Sequence, residues 1–343
     1  MIKILVTGGA GFIGSHTVVE LVNGGFQPVI VDNFCNSHRS VIGNLEEITK
    51  QQLIVYDVDC TDELAMRQIV TEHPDLQGAI HFAAYKAVGE SVRFPHKYYH
   101  NNINSLLVLT RVMDAFGIRN LVFSSSCTVY GQPDQLPVSE ETPYQLAESP
   151  YGYTKQICER ILQDLVRGEG NTISSVLLRY FNPIGAHPSG LIGELPLGVP
   201  ENLIPYITQT AAGLREQLTV FGTDYSTPDG TCVRDYIHVV DLAKAHVKAL
   251  QWMADRPVGC ESFNLGTGRG NSVLEVLHTF EEVSGEKLNY VLGDRRPGDV
   301  EQIYASSEKA NQTLGWKTEL HLADALKDAW NWQLKLETHT SSK

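Results

Sequence analysis

Short β-branched runs alternate with stretches of helical periodicity through the first half of the chain, the pattern of a parallel sheet wrapped by helices. The runs predict strands at 3–7, 28–32, 53–57, 78–82, 120–125 and 174–179. Between them the apolar spacing predicts helices near 13–23, 63–72, 98–116 and 151–167. Units of this length close a doubly wound α/β sheet, whose ligand crevice lies outside the carboxyl ends of the strands.

Beyond Arg179 the texture changes. Residues 181–235 are rich in Pro and Gly and carry few regular periods, which suits a lobe covering a substrate better than another sheet layer. Helical spacing returns at 239–253, and mixed α/β patterning resumes from 263 to 335. The expected organisation is a Rossmann-type nucleotide lobe at 1–180, with 236–260 returning to it. A second, smaller mixed α/β lobe takes 181–235 and 261–338, and a polar, flexible tail 339–343.

Composition changes this picture only by exclusion. A hydrophobic share of 42% and a charged share of 20% are those of an ordinary soluble globule. The 27 Lys and Arg against 40 Asp and Glu give a net charge of -13, which argues against a nucleic-acid surface. Six cysteines (Cys35, Cys60, Cys127, Cys158, Cys232, Cys260) are widely spaced, without a CxxC pair or a His cluster at metal spacing. Reduced thiols and no metal are therefore expected. The N-terminus enters a strand directly, and no apolar stretch approaches the ~20 residues of a membrane helix. A cytoplasmic chain with no membrane partner is the expectation.

The segment Thr7-Gly8-Gly9-Ala10-Gly11-Phe12-Ile13-Gly14 follows the first strand and opens an apolar helix. Gly8, Gly11 and Gly14 allow a tight turn and a close approach of backbone to a pyrophosphate, whose charge the helix N-terminus favours. Ser15, not Lys, follows Gly14, so a triphosphate P-loop is excluded. Asp32 ends the next strand, where a carboxylate binds a ribose hydroxyl and disfavours a 2′-phosphate; the chain thus reads as NAD-binding. Arg39 is the one nearby cation that could oppose this, and its simpler reading is a solvated loop charge. Asp59 and Cys60 close the third strand region and could frame adenine, with Asp57 as an alternative. Phe82-Ala83-Ala84 ends the fourth strand with residues able to line the cofactor or simply pack the core.

Tyr151 and Lys155 lie four residues apart on one helix face, whereas Tyr153 cannot share that face. A free phenol, with a pKa of about 10, is a poor base near neutral pH. An ammonium one turn away favours the phenolate and makes proton abstraction from a hydroxyl plausible. Ser124-Ser125-Ser126 ends the fifth strand at the crevice edge, and Ser126 could hydrogen-bond the reacting oxygen beside Tyr151. With an oxidised nicotinamide nearby, these groups suit hydride transfer from a carbon bearing an alcohol.

Over nearly its whole length the chain resembles the extended short-chain dehydrogenase/reductase family, and within it the UDP-glucose 4-epimerases. The specific segments are Asp32-Asn33-Phe34-Cys35-Asn36-Ser37, Lys86-Ala87-Val88-Gly89-Glu90-Ser91-Val92, Arg179-Tyr180-Phe181-Asn182-Pro183 and Val233-Arg234-Asp235-Tyr236-Ile237-His238-Val239. The resemblance implies a tightly held NAD, reduced and reoxidised within each turnover, and a role in galactose metabolism. Tyr151 would take the proton of the sugar 4′-hydroxyl, Ser126 would orient the 4′-oxygen, and Lys155 would bind the nicotinamide ribose and lower the Tyr151 pKa. The 4-keto sugar would rotate and receive the hydride on its other face, interconverting UDP-galactose and UDP-glucose. Phe12, Ile13, Asn33, Asn36, Ser37, Lys86, Asn101, Ser124 and Tyr180 would join the cofactor contacts. Phe181, Asn182, Asn202, Leu203, Val220, Phe221, Arg234, Tyr236, Arg296 and Asp299 would hold the UDP-sugar, with Lys86 also near the sugar. A homodimer would form through the helices near 98–116 and 151–167.

Two departures from that pattern stand out. Cys127 occupies a place where many relatives carry Ala, a conservative packing change. Ile303 aligns with a position where a bulky aromatic excludes N-acetylated sugars and a small residue admits them. Two readings compete. A 4,6-dehydratase would need an added acid/base pair, and 126–130 holds no carboxylate. A catalytically silent NAD-binding regulator would have little use for Ser126, Tyr151 and Lys155 together.

Overall fold

The computed structural model describes residues 1–254, 256, 258–296 and 299–340. The first half runs β1 (Ile2–Thr7), α1 (Phe12–Asn23), β2 (Phe26–Asp32), α2 (Ser40–Thr49), β3 (Ile54–Asp57), α3 (Glu63–Glu72), β4 (Leu76–His81), α4 (Val88–Arg93), α5 (Pro95–Phe116), β5 (Asn120–Ser126), α6 (Pro150–Arg167) and β6 (Ser174–Tyr180). The second half runs β7 (Asn182–Ile184), α7 (Leu203–Ala211), β8 (Leu218–Phe221), β9 (Val233–Arg234), β10 (Tyr236–His238), α8 (Val239–Met253), β11 (Cys260–Leu265), β12 (Asn271–Ser272), α9 (Val273–Ser284), β13 (Tyr290–Gly293), β14 (Gln302–Ile303), α10 (Glu308–Leu314) and α11 (Leu322–Thr340).

Seven strands form one parallel sheet in the order β11-β6-β5-β4-β1-β2-β3. Its strands read as unbroken apolar runs because helices cover both faces. Ile4 and Val6 of β1 pack with Val18, Leu242 and Leu250 on one side. Leu5, between them, packs with Met66, Leu106 and Leu162 on the other, as the two-residue period of a strand requires. The order of strands reverses between β1 and β4, so the crevice opens where Thr7 and His81 end those strands. Beyond the sheet, α7, α9 and α11 enclose a separate core around Ile207, Leu277, Phe280, Leu326 and Trp330.

The α8 helix covers the range expected for it and packs on α1. The expected boundary at 260/261 needs correction, because β11 continues to Leu265 and pairs with β6 as the seventh strand of the sheet. A short apolar run late in the chain carries no mark of the sheet it joins. The tail expected from 339 is also corrected in part: α11 runs to Thr340, and 341–343 lie outside the described residues. Besides α7, which lies in the stretch expected to carry few regular periods, two helices of the first half were missed. α4 is only six residues long, and α2 has Gly43 inside it, which weakens its helical pattern.

Candidate active site

The cofactor crevice is built around α1. This helix starts at Gly11 with no side-chain cap and no acid in its first turn, so its leading amides are left for an external anion. Gly8 adopts φ +72°, and a Cβ there would lie 2.8 Å from Ala83 N, so the turn can exist only without a side chain. Asp32 is buried and accepts from Ala10 N at 3.0 Å, Phe34 N at 2.9 Å and Ser37 Oγ at 3.1 Å. Two carboxylate oxygens offer about four acceptor sites, so capacity for a ribose hydroxyl remains. An uncapped helix end, a glycine cradle and a fixed carboxylate together fit NAD.

Around this centre the other expected contacts fall into place unevenly. Asn33 Nδ2 donates to Asp59 Oδ2 at 3.0 Å, bringing those two together at the rim. Cys60 is nearly fully buried among the apolar residues beneath, and burial pushes its thiol well above the usual range. Arg39 pairs with Asp57 and stacks on Phe34, 4.5 Å from the ring centroid; the cation is neutralised by the acid that competed for the adenine role. Asn101 donates to Asn102 Oδ1 at 3.1 Å.

The chemical groups sit at the carboxyl end of β5. Ser149 caps α6, accepting from Gly152 N at 3.1 Å, and Pro150 occupies the first turn, which fixes where Tyr151 enters the crevice. Ser126 caps the following 3₁₀ turn, accepting from Thr128 N at 3.2 Å, and its hydroxyl faces the Tyr151 phenol and favours the phenolate. Tyr153 is 48% exposed on the outer face, so Tyr151 alone reaches the site. Lys155 is buried, donates to Ser124 O at 2.6 Å and lies 5.9 Å from the Tyr151 ring centroid. Ser124 Oγ hydrogen-bonds Tyr180 OH.

Lys155 lies one helix turn from Tyr151, and burial is the largest influence on that phenol. Burial pushes the phenol up to about 12, and the group that opposes this is the Ser126 hydroxyl. Lys155, itself lowered to about 8 by burial, donates one of its three ammonium hydrogens to the Ser124 carbonyl.

On the other wall, Arg296 grips Asp299 through Nε (3.1 Å) and Nη2 (2.7 Å), while Arg234 Nη2 lies 3.9 Å from the same carboxylate. Arg296 also lies 6.0 Å from the centroid of Phe221. Asp299 thus holds two cations side by side, as a diphosphate clamp needs when its ligand is absent. Asn202 and Leu203 begin α7, a helix without a side-chain cap or an early acid. Asn182 pairs with Tyr236 in the β7–β10 ladder, and Phe181 and Tyr236 are largely buried. The Val220 side chain packs into the second-lobe core, whereas its neighbour Phe221 is 45% exposed, as strand alternation requires. Ile303 is buried with Val129, Tyr130, Val138 and Phe181, and the Cys127 side chain packs against that cluster.

Three carboxylates near the site escaped the sequence reading. Glu194 pairs with Lys86 at 2.8 Å and accepts from Asn202, joining residues from both lobes. Asp235 is buried and ties Thr267, Gly268 and Ala305 to the strand beside Arg234 through backbone amides at 2.8–3.1 Å. Glu159 lies one turn beyond Lys155, fully buried and paired with Arg179. Asn102, which bridges Tyr85 to Thr154, was likewise passed over for its neighbour.

A parallel sheet with a bare glycine turn at its switch point, and Ser, Tyr and Lys converging beside it, defines a dinucleotide-dependent enzyme acting at an alcohol carbon. The NAD dependent epimerase/dehydratase family matches residues 4–266, and the chain belongs to that family. It is 51% identical over 330 residues to the UDP-glucose 4-epimerase of Bacillus subtilis (strain 168), covering 96% of each chain. Against that of Mus musculus the identity is 48% over 339 residues, covering 97% of each. The crystal structure of UDP-glucose 4-epimerase from Bifidobacterium longum in complex with NAD+ and UDP superposes with a TM-score of 0.93 at 47% identity, covering 97% of this chain and 98% of that one. That from Stenotrophomonas maltophila, with NAD and formylated UDP-arabinopyranose, gives 0.95 at 45%, covering 99% and 100%.

Proposed function

We infer that this chain interconverts UDP-galactose and UDP-glucose with bound NAD. Near-full-length identity of about half to UDP-glucose 4-epimerases carries the reading, and the Ser126–Tyr151–Lys155 geometry supports it. The first lobe, taken as 1–180 with 236–265, would hold the nucleotide cofactor, and 181–235 with 266–338 the UDP-sugar. The uncapped amides of α1 and the Asp32 carboxylate would hold NAD. When bound, oxidised NAD supplies a hydride acceptor and a positively charged ring. Tyr151 would take a proton from the sugar 4′-hydroxyl at its phenol oxygen and later return it, so the phenol is restored in each turnover. Ser126 would orient the reacting oxygen, while Lys155 holds Ser124 and stands ready for a ribose hydroxyl. Arg234 and Arg296, preset by Asp299, would clamp the diphosphate.

The test is incubation with UDP-galactose alone. UDP-glucose should accumulate without added NAD and without net NADH, whereas NADH build-up or no conversion overturns the reading.

Ile303 tunes what sugar fits. Ile303→Gly should raise turnover of UDP-N-acetylglucosamine relative to UDP-glucose, and an unchanged ratio in a competition assay would rule out the steric gate. The deletion removes a buried side chain, so it should also cost about 2–5 kcal/mol of stability.

The chain also reads as a homodimer through α5 and α6. Phe94, Phe116, Tyr153 and Leu165 leave apolar surface exposed there, as an interface would. The parent should sediment at twice the 38.0 kDa chain mass, and Leu165→Glu with Tyr153→Glu should halve that. A monomeric parent would refute it. Six free cysteines agree with a reducing, cytoplasmic setting.

A further inference from the structure

Three successive turns of α6 dock three consecutive residues of β5. Tyr151 meets the Ser126 hydroxyl, Lys155 meets the Ser124 carbonyl at 2.6 Å, and Glu159 accepts from Ser125 Oγ. The spacing 151, 155, 159 keeps all three on one helix face. Ser125 points toward α6, on the opposite side of the sheet from the side chains of Ser124 and Ser126, so its bond to Glu159 ties the strand to the helix that carries Tyr151 and Lys155.

Glu159 is fully buried, and the Arg179 side chain is 4% exposed. Arg179 reaches Glu159 through Nε (3.0 and 3.2 Å) and Nη2 (2.6 Å). The same guanidinium donates to Tyr130 OH at 3.0 Å and Tyr144 OH at 2.7 Å, and Tyr144 OH donates to Glu159. Tyr130 OH in turn donates to Asn264 Oδ1 at 2.6 Å on β11. A buried ion pair need not be stabilising, since desolvation can exceed the attraction. Here the pair touches no substrate or cofactor contact named above, yet its arms through Ser125 and Arg179 end on β5 and β6, the strands that carry Ser124, Ser126 and Tyr180.

We propose that Glu159 is a positioning residue for the reaction: it pins Ser125 so that Ser124 and Ser126 present their oxygens to Lys155 and Tyr151. The inference rests on the epimerase reading above. The groups facing Glu159 are Ser125 on β5, Arg179 on β6, Tyr144 on the loop before α6, Cys260 on β11, and Lys155 and Cys158 on its own helix. Of the charged groups near Lys155, Cys158 and then Glu159 oppose the fall of its pKa toward 8.

The experiment measures kcat, KM for UDP-galactose and the pH profile of kcat in four variants of the NAD-loaded enzyme. Glu159→Gln should lower kcat by ~10- to ~100-fold with KM within about threefold. It should also move the alkaline limb of the profile to lower pH, because Lys155 loses its proton sooner. Glu159→Asp keeps the charge and should restore the alkaline limb even where kcat recovers only in part. Ser125→Ala should lower kcat without moving that limb. Glu159→Gln combined with Arg179→Gln leaves no unpaired buried charge and serves if the single variant does not fold; it should show the lowered kcat with a smaller shift of the limb, because both charges of the pair are gone. A folded, NAD-retaining Glu159→Gln or double variant with the parental kcat and profile overturns the proposal. Loss of activity in the parent itself would instead strike at the epimerase reading.

Discussion

Tyr151→Phe is expected to reduce kcat by ~10²- to ~10⁴-fold, the usual worth of a positioned acid–base group. UDP binding by calorimetry and NAD content after gel filtration should match the parent. The hydroxyl faces Ser126, whose Oγ keeps a partner of its own in Thr128 N at 3.2 Å. Removing the phenol oxygen therefore strands no buried polar atom, and the melting temperature should hold. The loss falls on proton transfer only. With a pKa near 12 in the protein alone, the phenol is a weak base until further positive charge stands beside it. A variant retaining kcat within fivefold would show that another group handles the proton. If NAD binding disappeared along with activity, the residue would be structural and not chemical.

How much of this was readable beforehand follows from the range of the forces involved. Glycine spacing, the strand-ending Asp32 and the 151/155 pair are local patterns, and each landed within one crevice because the parallel sheet aligns all strand ends. Helix limits at 63–72 and 239–253 were set by nearby side chains and matched. Partnerships across the chain were not readable. Glu194 with Lys86 spans 108 residues, and Arg179 reaches Glu159 only because β6 lies beside β5. Sequence gives the lysine's place on a helix face but not its hydrogen bond to the Ser124 carbonyl. The membership of β11 in the large sheet and the inward turn of Val220 are likewise decided by pairing register, which is a property of two strands.

Gly14→Ala should abolish retention of NAD, and with it activity, for a steric reason that admits little relief. A Cβ at Gly14 would stand 2.1 Å from Gly8 O, 2.9 Å from Gly9 Cα and 3.0 Å from Gly8 C. All three neighbours are backbone, so no side chain can rotate away. Either α1 retreats from the β1 turn or the turn itself opens. Both move the leading amides of α1, which lack any capping side chain and would meet the pyrophosphate. Overpacking of this kind typically costs about 1–3 kcal/mol, and more where the backbone must shift. Gly43→Ala is the matched control. A Cβ there meets nothing within 4 Å on α2, so the same substitution should stabilise by about 0.4–1 kcal/mol and leave NAD bound. Gly11→Ala covers the case in which Gly14→Ala does not fold. Its Cβ would meet only Gly8 O at 3.3 Å, so the fold should survive while the cradle is partly filled and cofactor affinity falls. Nucleotide released on denaturation, quantified per chain, decides the matter: one NAD per chain in a folded Gly14→Ala or an undiminished affinity in Gly11→Ala would place the cofactor elsewhere than this turn.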